Sequence, residues 1–371
     1  MPDEMERPQT SDRDYGELHD RLASWLAASL PGSEPELSAL EVPATNGMSS
    51  ETVLFDVAMT EDGARRELQC VGRIAPQATA VPVFPIYDLP KQYEAMRVVE
   101  QRTAVPVPTP LWVEPSPAPI GAPFFVMEKV EGLVPPDVMP YPFGDNWLFD
   151  APRDDQMRLQ SGAVDVLAQL HAIPADDPDI AFLQIDRPEP TPLGRHLGAE
   201  GAYYEWVVRE GPRVPLLEEV LRWLEDHLPD EGGAVLSWGD SRIGNMMFRD
   251  FTPVAVLDWE MAAVAPREVD LLWGPYMHKF FDDLCEQLGG PGMPHFQQRE
   301  DVAAEYEKLT GYTPRDLDWY GMYSALRYGS VSVRVQQRSI HFGQLERPDD
   351  PNDLIMHRAA LEQMLAGTYW K

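Results

Sequence analysis

Three oxygen-bearing side chains, those of Asp240, Asn245 and Asp258, are the residues best suited to chemistry in this sequence. Carboxamide and carboxylate oxygens are ligands of Mg²⁺, an ion that usually completes its octahedron with waters and substrate phosphates. Asn245 and Asp258 therefore form a candidate metal pair, and Asp240 remains to orient a nucleophile. These are the components of a phosphoryl-transfer site.

A β-hairpin is predicted between the two candidate metal ligands. Two apolar, strand-like runs flank the turn-forming sequence DFTP, which begins at Asp250 and ends at Pro253. If these two residues lie opposite each other, antiparallel pairing places Asn245 opposite Asp258. One hairpin would thus bring the carboxamide and the carboxylate together.

The same stretch resembles a known family. Trp238 to Asn245 reads WGDSRIGN, and Val256 to Glu260 reads VLDWE. Both segments are similar to the catalytic and metal-binding loops of aminoglycoside phosphotransferase-like kinases, a choline kinase-related group that shares the protein-kinase fold. The resemblance spans residues 33–335 in the expected order of parts. It implies that Asp240 accepts or orients the proton of an acceptor hydroxyl.

The resemblance also implies a two-lobed α+β fold, with an antiparallel sheet in the N-terminal lobe and a larger helical C-terminal lobe. We expect a helical extension at 1–32, a nucleotide-binding sheet lobe at 33–130, and a C-lobe at 131–371 with the catalytic and metal-binding loops and the substrate pocket. Patterning alone supports α+β in two lobes. The apolar spacing of 14–30 predicts an amphipathic helix that packs on another element.

Arg73 occupies the place where kinases carry a lysine that faces the α- and β-phosphates. Arginine stays charged, and its planar fork suits phosphate and carboxylate together. The helix predicted at 89–102 supplies Glu94 as the candidate ion-pair partner of Arg73. Glu100 is a rival candidate, and a solvated surface glutamate is the alternative interpretation of Glu94.

A phosphate-covering loop is implied at 45–51, which reads TNGMSSE. Backbone N–H groups in such a loop can face phosphate oxygens, and the small residues Gly47, Ser49 and Ser50 permit close approach. Only one glycine is present, so an ordinary turn between strands is the alternative interpretation.

Further roles come from the resemblance alone. Backbone groups of Glu128 and Val130 would hold the nucleotide base at a hinge; a sheet-edge strand and its exit turn are the alternative. Arg242, two residues after Asp240, would balance charge on the transferred group, with a surface ion pair as the alternative. Asp270 would be a scaffold carboxylate that ties down the backbone of the catalytic loop.

Two aromatic positions need separate interpretation. Trp238 stands where many kinases place a histidine, a departure that bears on loop packing more than on chemistry. His171, at the end of a predicted helix, is interpreted as a hydrogen-bonded packing residue in preference to an acid–base group.

The composition limits the partners. The chain has 371 residues, with 61 acidic against 30 basic side chains and a formal net charge of −31. Such a surface is expected to repel nucleic acid and anionic membranes. It could concentrate a cationic acceptor, such as an aminoglycoside-like molecule or an amino alcohol. A role in solubility is the simpler interpretation, because the charge is spread along the chain.

The compartment follows from three features. Cys70 and Cys285 are too few for a disulfide framework and lack metal-site spacing. The apolar runs are far shorter than the roughly 18 residues of a membrane span. The charged N-terminus lacks the apolar core of a signal peptide. We therefore expect a cytoplasmic protein.

The leading hypothesis is a Mg²⁺-dependent kinase that moves the γ-phosphate of ATP or GTP to a hydroxyl of a small molecule. A catalytically silent, nucleotide- or ligand-binding protein of kinase fold is the alternative. A hydrolase that uses Ser49 or Ser237 is a third class, but the sequence has no nucleophile-elbow pattern around either serine.

Overall fold

The computed structural model describes residues 13–43 and 50–371. These residues form two compact units, one made of 13–43, 50–97 and 108–130 and the other of 98–107 and 131–371. The first unit carries an antiparallel sheet, and the second is mainly helical. The α+β fold class predicted from the sequence is confirmed.

The first unit is built on a five-stranded antiparallel sheet in the order β1-β2-β3-β5-β4. Its strands are β1 (Glu36–Leu37), β2 (Glu51–Glu61), β3 (Ala64–Ile74), β4 (Pro110–Glu114) and β5 (Phe124–Glu128). A tight turn joins β2 and β3, because Asp62 and Gly63 both adopt positive φ angles. The helix α2 (Leu89–Arg102) has the predicted bounds and begins in this unit.

The helix α1 (Tyr15–Ser29) packs on the sheet of the same unit. Asp14 caps its first turn by accepting hydrogen bonds from two backbone N–H groups. The leucines at helical spacing, Leu18, Leu22 and Leu26, are buried in one core cluster with residues of β2, β3 and β5. The predicted amphipathic helix is confirmed, and the apolar stripe that revealed it is the surface that it buries.

The second unit is mostly helical. Its helices are α3 (Arg153–Leu170), α4 (Pro192–Val208), α5 (Pro215–Asp226), α6 (Arg267–Gln287), α7 (Arg299–Thr310), α8 (Leu317–His341) and α9 (Arg358–Leu365). Two small antiparallel sheets lie among them, formed by β6 (Ala234–Ser237) with β9 (Ala263–Pro266) and by β7 (Met246–Arg249) with β8 (Thr252–Val256). None of the helices in the described ranges is long and apolar enough to cross a membrane.

The predicted hairpin forms, but its predicted register is wrong by one residue. The turn consists of Asp250 and Phe251, which both have positive φ angles, and Phe248 pairs with Pro253 after a bulge. The predicted pairing of Asp250 with Pro253 would have placed a two-residue turn at Phe251 and Thr252, so the observed turn lies one residue earlier. The carbonyl of Asn245 accepts a hydrogen bond from the N–H of Leu257 at 2.8 Å. Asn245 therefore lies beside Leu257, one residue before the predicted partner.

Candidate active site

The strand β6 leads into the predicted catalytic loop, and Gly239 fixes the path of this loop. The glycine has φ +92°, and a Cβ atom at this position would lie 2.2 Å from the carbonyl oxygen of Met261. Both the backbone conformation and the close approach of the neighbouring chain exclude a larger residue. The glycine before Asp240 is therefore required by the fold of the loop.

Asp270 ties this loop to α6. Its carboxylate accepts hydrogen bonds from the N–H groups of Trp238 and Gly239, each at 2.8 Å, and the Ser241 hydroxyl donates to the Asp270 carbonyl at 2.8 Å. Burial raises the pKa of Asp270, but hydrogen bonds from His171 and from the two N–H groups outweigh burial and hold the pKa below its usual value. The predicted scaffold role of Asp270 is confirmed.

His171 is a packing residue, as predicted. It is buried, and its Nε2 lies 3.1 Å from the Asp270 carboxylate while its Nδ1 lies 2.9 Å from the Tyr306 hydroxyl. A carboxylate only accepts hydrogen bonds, so Nε2 carries a proton. Both ring nitrogens are thus occupied by structural partners.

The Asp240 side chain is held at one oxygen. Its Oδ1 accepts hydrogen bonds from Trp273 Nε1 at 2.5 Å and from Arg242 Nε at 3.2 Å. The carboxylate remains 14% exposed. Both donors that contact Asp240 in the described structure use Oδ1, which leaves Oδ2 for a bound molecule.

Arg242 forms the ion pair that was the alternative interpretation of its role. Besides its contact with Asp240, it donates from Nη1 to Asp137 at 2.9 Å. Burial alone would lower the pKa of Arg242, but the carboxylates of Asp240 and Asp137 outweigh it and raise the pKa. The guanidinium is therefore cationic beside the carboxylate, and its role on a transferred group stays a prediction.

Asn245 is oriented by the catalytic loop. Its Nδ2 donates to the carbonyl of Asp240 at 3.1 Å, and its backbone N–H donates to the carbonyl of Arg242 at 2.9 Å. Because Nδ2 is used in this way, Oδ1 is the atom of the amide that can serve as a metal ligand. The carboxamide is thus buried and directed by the same loop that carries Asp240, the predicted catalytic carboxylate.

Trp238 joins the catalytic loop to the predicted metal ligand Asp258. The buried indole donates from Nε1 to the carbonyls of Leu257 at 2.9 Å and Asp258 at 3.1 Å. Asp258 has φ +57°, a conformation that is uncommon for residues other than glycine and is often found at functional sites. The tryptophan that stands in place of a kinase histidine therefore joins the two loops. This is the packing role that the sequence indicated for Trp238.

The donor set fits a magnesium ion with few protein ligands. Asn245 pairs with Leu257 at the open end of the hairpin, and Asp258 is the next residue after Leu257. The two candidate ligands offer an amide oxygen and a carboxylate. Within 13–43 and 50–371, no three His, Cys, Asp or Glu side chains cluster so that they could hold a metal by themselves. Mg²⁺ commonly needs only one or two protein carboxylates or amides when phosphates complete its shell.

In the first unit, Arg73 and Glu94 lie on β3 and α2. Arg73 Nη1 donates to the Thr52 hydroxyl at 3.3 Å. The Glu94 carboxylate accepts hydrogen bonds from Arg97 at 2.5 and 2.9 Å, and these hydrogen bonds, with some opposition from burial, lower the pKa of Glu94. The pairing of Glu94 with Arg73 stays a prediction.

Of the predicted phosphate-loop residues, Gly47 and Ser49 lie outside the described residues. Ser50 lies directly before β2, and its side chain is 2% exposed. At the predicted hinge, the Glu128 N–H donates to the Thr109 carbonyl at 2.9 Å, so this N–H belongs to the sheet. The nucleotide contacts of Ser50, Glu128 and Val130 stay predictions.

Sequence reasoning missed Trp273 and Arg327. Trp273 stands one helical turn after Asp270, so the predicted helix could have placed its indole toward the same loop. Arg327 lies among buried residues of α8, and an arginine inside an apolar helical pattern is the only signal that the sequence offered. Their contact with each other depends on the packing of α6 against α8.

Fold and site together define a phosphotransferase of the protein-kinase-like class. The chain belongs to the phosphotransferase enzyme family known as APH, whose family model matches residues 62–312. The resemblance stated from the catalytic and metal-binding motifs is therefore confirmed.

Solved structures share the fold at low sequence identity. One is a protein of Ralstonia eutropha JMP134 provisionally named an aminoglycoside phosphotransferase, with a TM-score of 0.65, 20% identity, and coverage of 95% of this chain and 96% of the other. Another is the GDP and kanamycin complex of APH(2″)-IIIa, with a TM-score of 0.55, 15% identity, and coverage of 93% and 98%. These similarities establish the fold.

The curated relatives are longer proteins that are named as acyl-CoA dehydrogenases. The chain is 23% identical over 294 residues to acyl-CoA dehydrogenase family member 10 of Mus musculus, covering 73% of this chain and 25% of that protein. It is 25% identical over 340 residues to the probable acyl-CoA dehydrogenase IBR3 of Arabidopsis thaliana, covering 86% and 39%. The chain thus spans between a quarter and two-fifths of these two relatives.

Proposed function

We propose that this phosphotransferase moves the γ-phosphoryl group of ATP or GTP to a hydroxyl group of a small molecule. The observation that carries the proposal is the single hydrogen-bonded assembly of Asp240, Asn245 and the Leu257–Asp258 segment. Phosphoryl transfer asks for an aligned acceptor and fixed positive charge near the phosphates, with little covalent help from the protein. Asp240 can orient the acceptor, and the pair of Asn245 and Asp258 can hold the Mg²⁺ that would supply the positive charge.

We assign to Asp240 the role of binding the acceptor hydroxyl and accepting its proton. Its Oδ1 is already held by Trp273 and Arg242, so Oδ2 would receive the hydrogen bond of the acceptor hydroxyl. The carboxylate would accept the hydroxyl proton as the new oxygen–phosphorus bond forms. The Arg242 guanidinium would then move from the two carboxylates toward the transferred phosphoryl group and stabilise its negative charge.

Asn245 and Asp258 would hold Mg²⁺, which when bound neutralises charge on the β- and γ-phosphates. The remaining nucleotide contacts are assigned to the first unit. Arg73, with Glu94 as its partner, would grip the phosphates. The loop residues Gly47, Ser49 and Ser50 would cover the phosphates, and backbone groups of Glu128 and Val130 would hold the base. Structural neighbours were solved with GDP or ADP, which supports a nucleotide co-substrate.

For the acceptor, we propose a cationic molecule of the aminoglycoside or amino-alcohol kind. Two structural neighbours were solved with kanamycin and with hygromycin B. The net charge of −31 would raise the local concentration of such cations, although the same charge also serves solubility. Because two curated relatives are named as acyl-CoA dehydrogenases, the screen should also contain acyl-CoA compounds that carry a hydroxyl group.

The decisive experiment measures Mg²⁺-dependent consumption of ATP and GTP with panels of cationic, neutral and anionic alcohols. We expect turnover with a cationic alcohol and, in Asp240→Asn, a loss of about 10²- to 10⁴-fold in kcat. Asp230→Asn, an exposed loop aspartate, is the matched control and should behave as wild type. Unchanged activity in Asp240→Asn would contradict the mechanism, and the best turnover with neutral or anionic alcohols would contradict the charge argument.

The catalytically silent alternative predicts a different pattern. Such a protein would bind Mg²⁺-nucleotide in a titration but would consume none with any acceptor. The hydrolase alternative loses one of its two serines, because Ser237 is fully buried in β6. Nucleotide consumption therefore separates the remaining possibilities.

A further inference from the structure

We propose that Trp273 is a positioning residue for Asp240 and that Arg327 holds the indole of Trp273 in place. The proposal rests on the phosphoryl-transfer function assigned above. Its basis is one continuous set of contacts behind the catalytic carboxylate. The indole Nε1 donates to Asp240 Oδ1 at 2.5 Å, and the guanidinium carbon of Arg327 lies 4.5 Å from the centre of the indole ring.

The indole of Trp273 can keep its hydrogen bond to Asp240 throughout the reaction, because it has no role on the transferred phosphoryl group. The other donor to Asp240, Arg242, also bonds to Asp137 and is the cation assigned to the transferred phosphoryl group. When Arg242 turns toward that group, its hydrogen bond to Oδ1 weakens. Trp273 Nε1 is neutral and has no acceptor function, so it continues to hold Oδ1 and keeps Oδ2 aimed at the acceptor hydroxyl.

Arg327 controls both the indole and the backbone beside it. Its Nη2 donates to the carbonyl of Gly239 at 3.0 Å, directly before Asp240, while its guanidinium stacks on Trp273. The side chain is 2% exposed, so a cation–π contact here acts with little screening by water. One arginine thus fixes the main chain and the side-chain contact of the same catalytic residue.

A carboxylate whose side chain is 14% exposed accompanies Arg327. Glu200 Oε1 lies 3.6 Å from Arg327 Nε; burial raises the pKa of Glu200, and the arginine opposes this rise. Buried ion pairs add little net stability compared with apolar side chains of similar volume. The presence of this ion pair beside Trp273 and Gly239 is therefore better explained by the placement of these two residues than by stability.

The partner of Trp273 also distinguishes it from other buried tryptophans. The indoles of Trp238, Trp259 and Trp319 donate to backbone carbonyls, as is common when tryptophan only packs. The indole of Trp273 donates to the carboxylate that we assign to the chemical step. A hydrogen bond to a charged group is also stronger than one to a carbonyl.

The first test compares Trp273→Phe with wild type in steady-state kinetics. Phenylalanine keeps an aromatic face for Arg327 and removes the N–H group. We expect kcat to fall by about 10- to 100-fold, with the KM values for nucleotide and acceptor changed less than about twofold. Trp25→Phe is the matched control, because its indole also donates to a carboxylate, that of Glu114 on β4, and its kcat should stay at the wild-type value.

The second test asks whether Arg327 acts through charge. Arg327→Lys keeps a cation that can lie over the indole, whereas Arg327→Met does not. We expect Arg327→Lys to retain more kcat than Arg327→Met at equal KM values. Equal losses in the two variants, or losses confined to KM, would overturn the assigned role of Arg327.

A third measurement does not depend on turnover. The chain has ten tryptophans, and Trp273→Phe identifies the indole N–H signal of Trp273 in a ¹H–¹⁵N spectrum. In Asp240→Ala this signal should shift further than the other indole signals, because its acceptor is gone. An unmoved signal would show that the contact is absent and would overturn the inference.

The outcomes separate this inference from the proposed function. Wild-type turnover that is lost in Asp240→Asn but retained fully in Trp273→Phe would overturn the role of Trp273 alone. Absence of turnover with every acceptor would overturn the proposed function and, with it, this inference. Reduced kcat at constant KM together with the shifted indole signal would establish both.

Discussion

The residues assigned to catalysis in the second unit and those assigned to the nucleotide in the first unit are held in different ways. Around Asp240, buried side chains and backbone groups are joined by hydrogen bonds that run from Asp270 through Trp238 to Asp258. In the first unit, Glu94 forms an i,i+3 pair with Arg97, and both side chains are more than one-third exposed. The predicted catalytic loop is fixed by the fold, whereas Arg73 and Glu94 lie on partly solvated surfaces.

This difference predicts two kinds of mutational effect. A site that is preorganised before binding can stabilise a transition state without reorganising, so its changes should appear in stability and kcat. Residues on a solvated sheet and helix gain their full interactions only with the ligand, so their changes should appear in the KM for nucleotide.

The largest effect is expected for Asp270→Asn. The amide replaces one carboxylate oxygen by an NH₂ group that faces a backbone N–H or His171, and the whole environment is buried. Breaking a buried, multiply bonded charge typically costs about 3–5 kcal/mol of unfolding free energy. Urea unfolding should show this loss, and kcat should fall with it because Gly239 and Asp240 lose their anchor.

The pH dependence of the same variant gives a second check. Because the folded protein lowers the pKa of Asp270, its stabilisation is present above the unfolded pKa of about 3.9 and is lost as the pH falls through the folded value. The stability difference between wild type and Asp270→Asn should therefore shrink on acidification below about pH 4. A difference that stays constant through that range would contradict the assignment of the charge.

Trp238→Phe is expected to have the next largest effect. The substitution keeps most of the buried ring and removes the donor that binds the carbonyls of Leu257 and Asp258. Removing the donor from these part-buried carbonyls should cost about 0.5–1.5 kcal/mol of stability. Because Asp258 would lose its positioned backbone, the Mg²⁺ concentration that gives half-maximal activity should also rise, which a metal titration measures.

Trp259→Phe is the matched comparison for that titration. Its indole is equally buried but donates to the carbonyl of Val256, which lies inside the hairpin strand β8. We expect a similar loss of stability with a smaller change in the Mg²⁺ requirement. Equal Mg²⁺ requirements in the two variants would contradict the special role of Trp238 in joining the loops.

The catalytic region could be predicted from the sequence because its signals are local. Asp240 and Asn245 are five residues apart, and the residues that form the hairpin turn are adjacent in the sequence. The register was predicted wrongly because the two-residue turn is formed by Asp250 and Phe251, one residue earlier than expected, and because a bulge lies at Met247 and Phe248. Small differences in turn energy decide such a register, and hydrophobic alternation does not reveal them.

The support around the catalytic carboxylate could not be predicted, for a different reason. Arg327 is far from Asp240 in sequence and meets Trp273 only because α8 packs on α6. Side-chain contacts between distant helices depend on packing geometry, which no local pattern encodes.

Arg73→Met should sharpen the contrast between the two units. The methionine keeps much of the apolar stem and removes the charge that we assign to the α- and β-phosphates. Charge-assisted hydrogen bonds contribute about 1.5–3 kcal/mol, so the KM for nucleotide should rise by about 10- to 100-fold. The KM for acceptor should hardly change, and Arg65→Met, at an exposed position of β3, serves as the control. An effect confined to kcat would contradict the assignment.

Glu94→Gln is expected to have the smallest effect and to test which partner Glu94 serves. Its pair with Arg97 is half-exposed, and such pairs contribute only about 0.3–0.5 kcal/mol to stability. If Glu94 also orients Arg73 when nucleotide binds, the KM for nucleotide should rise by about two- to fivefold. Arg97→Gln removes the observed pair without touching the predicted one, so it should reproduce the small stability loss and leave KM unchanged. Equal KM values in both variants would show that Glu94 serves the helix alone, and Arg73 would then need another carboxylate to orient it.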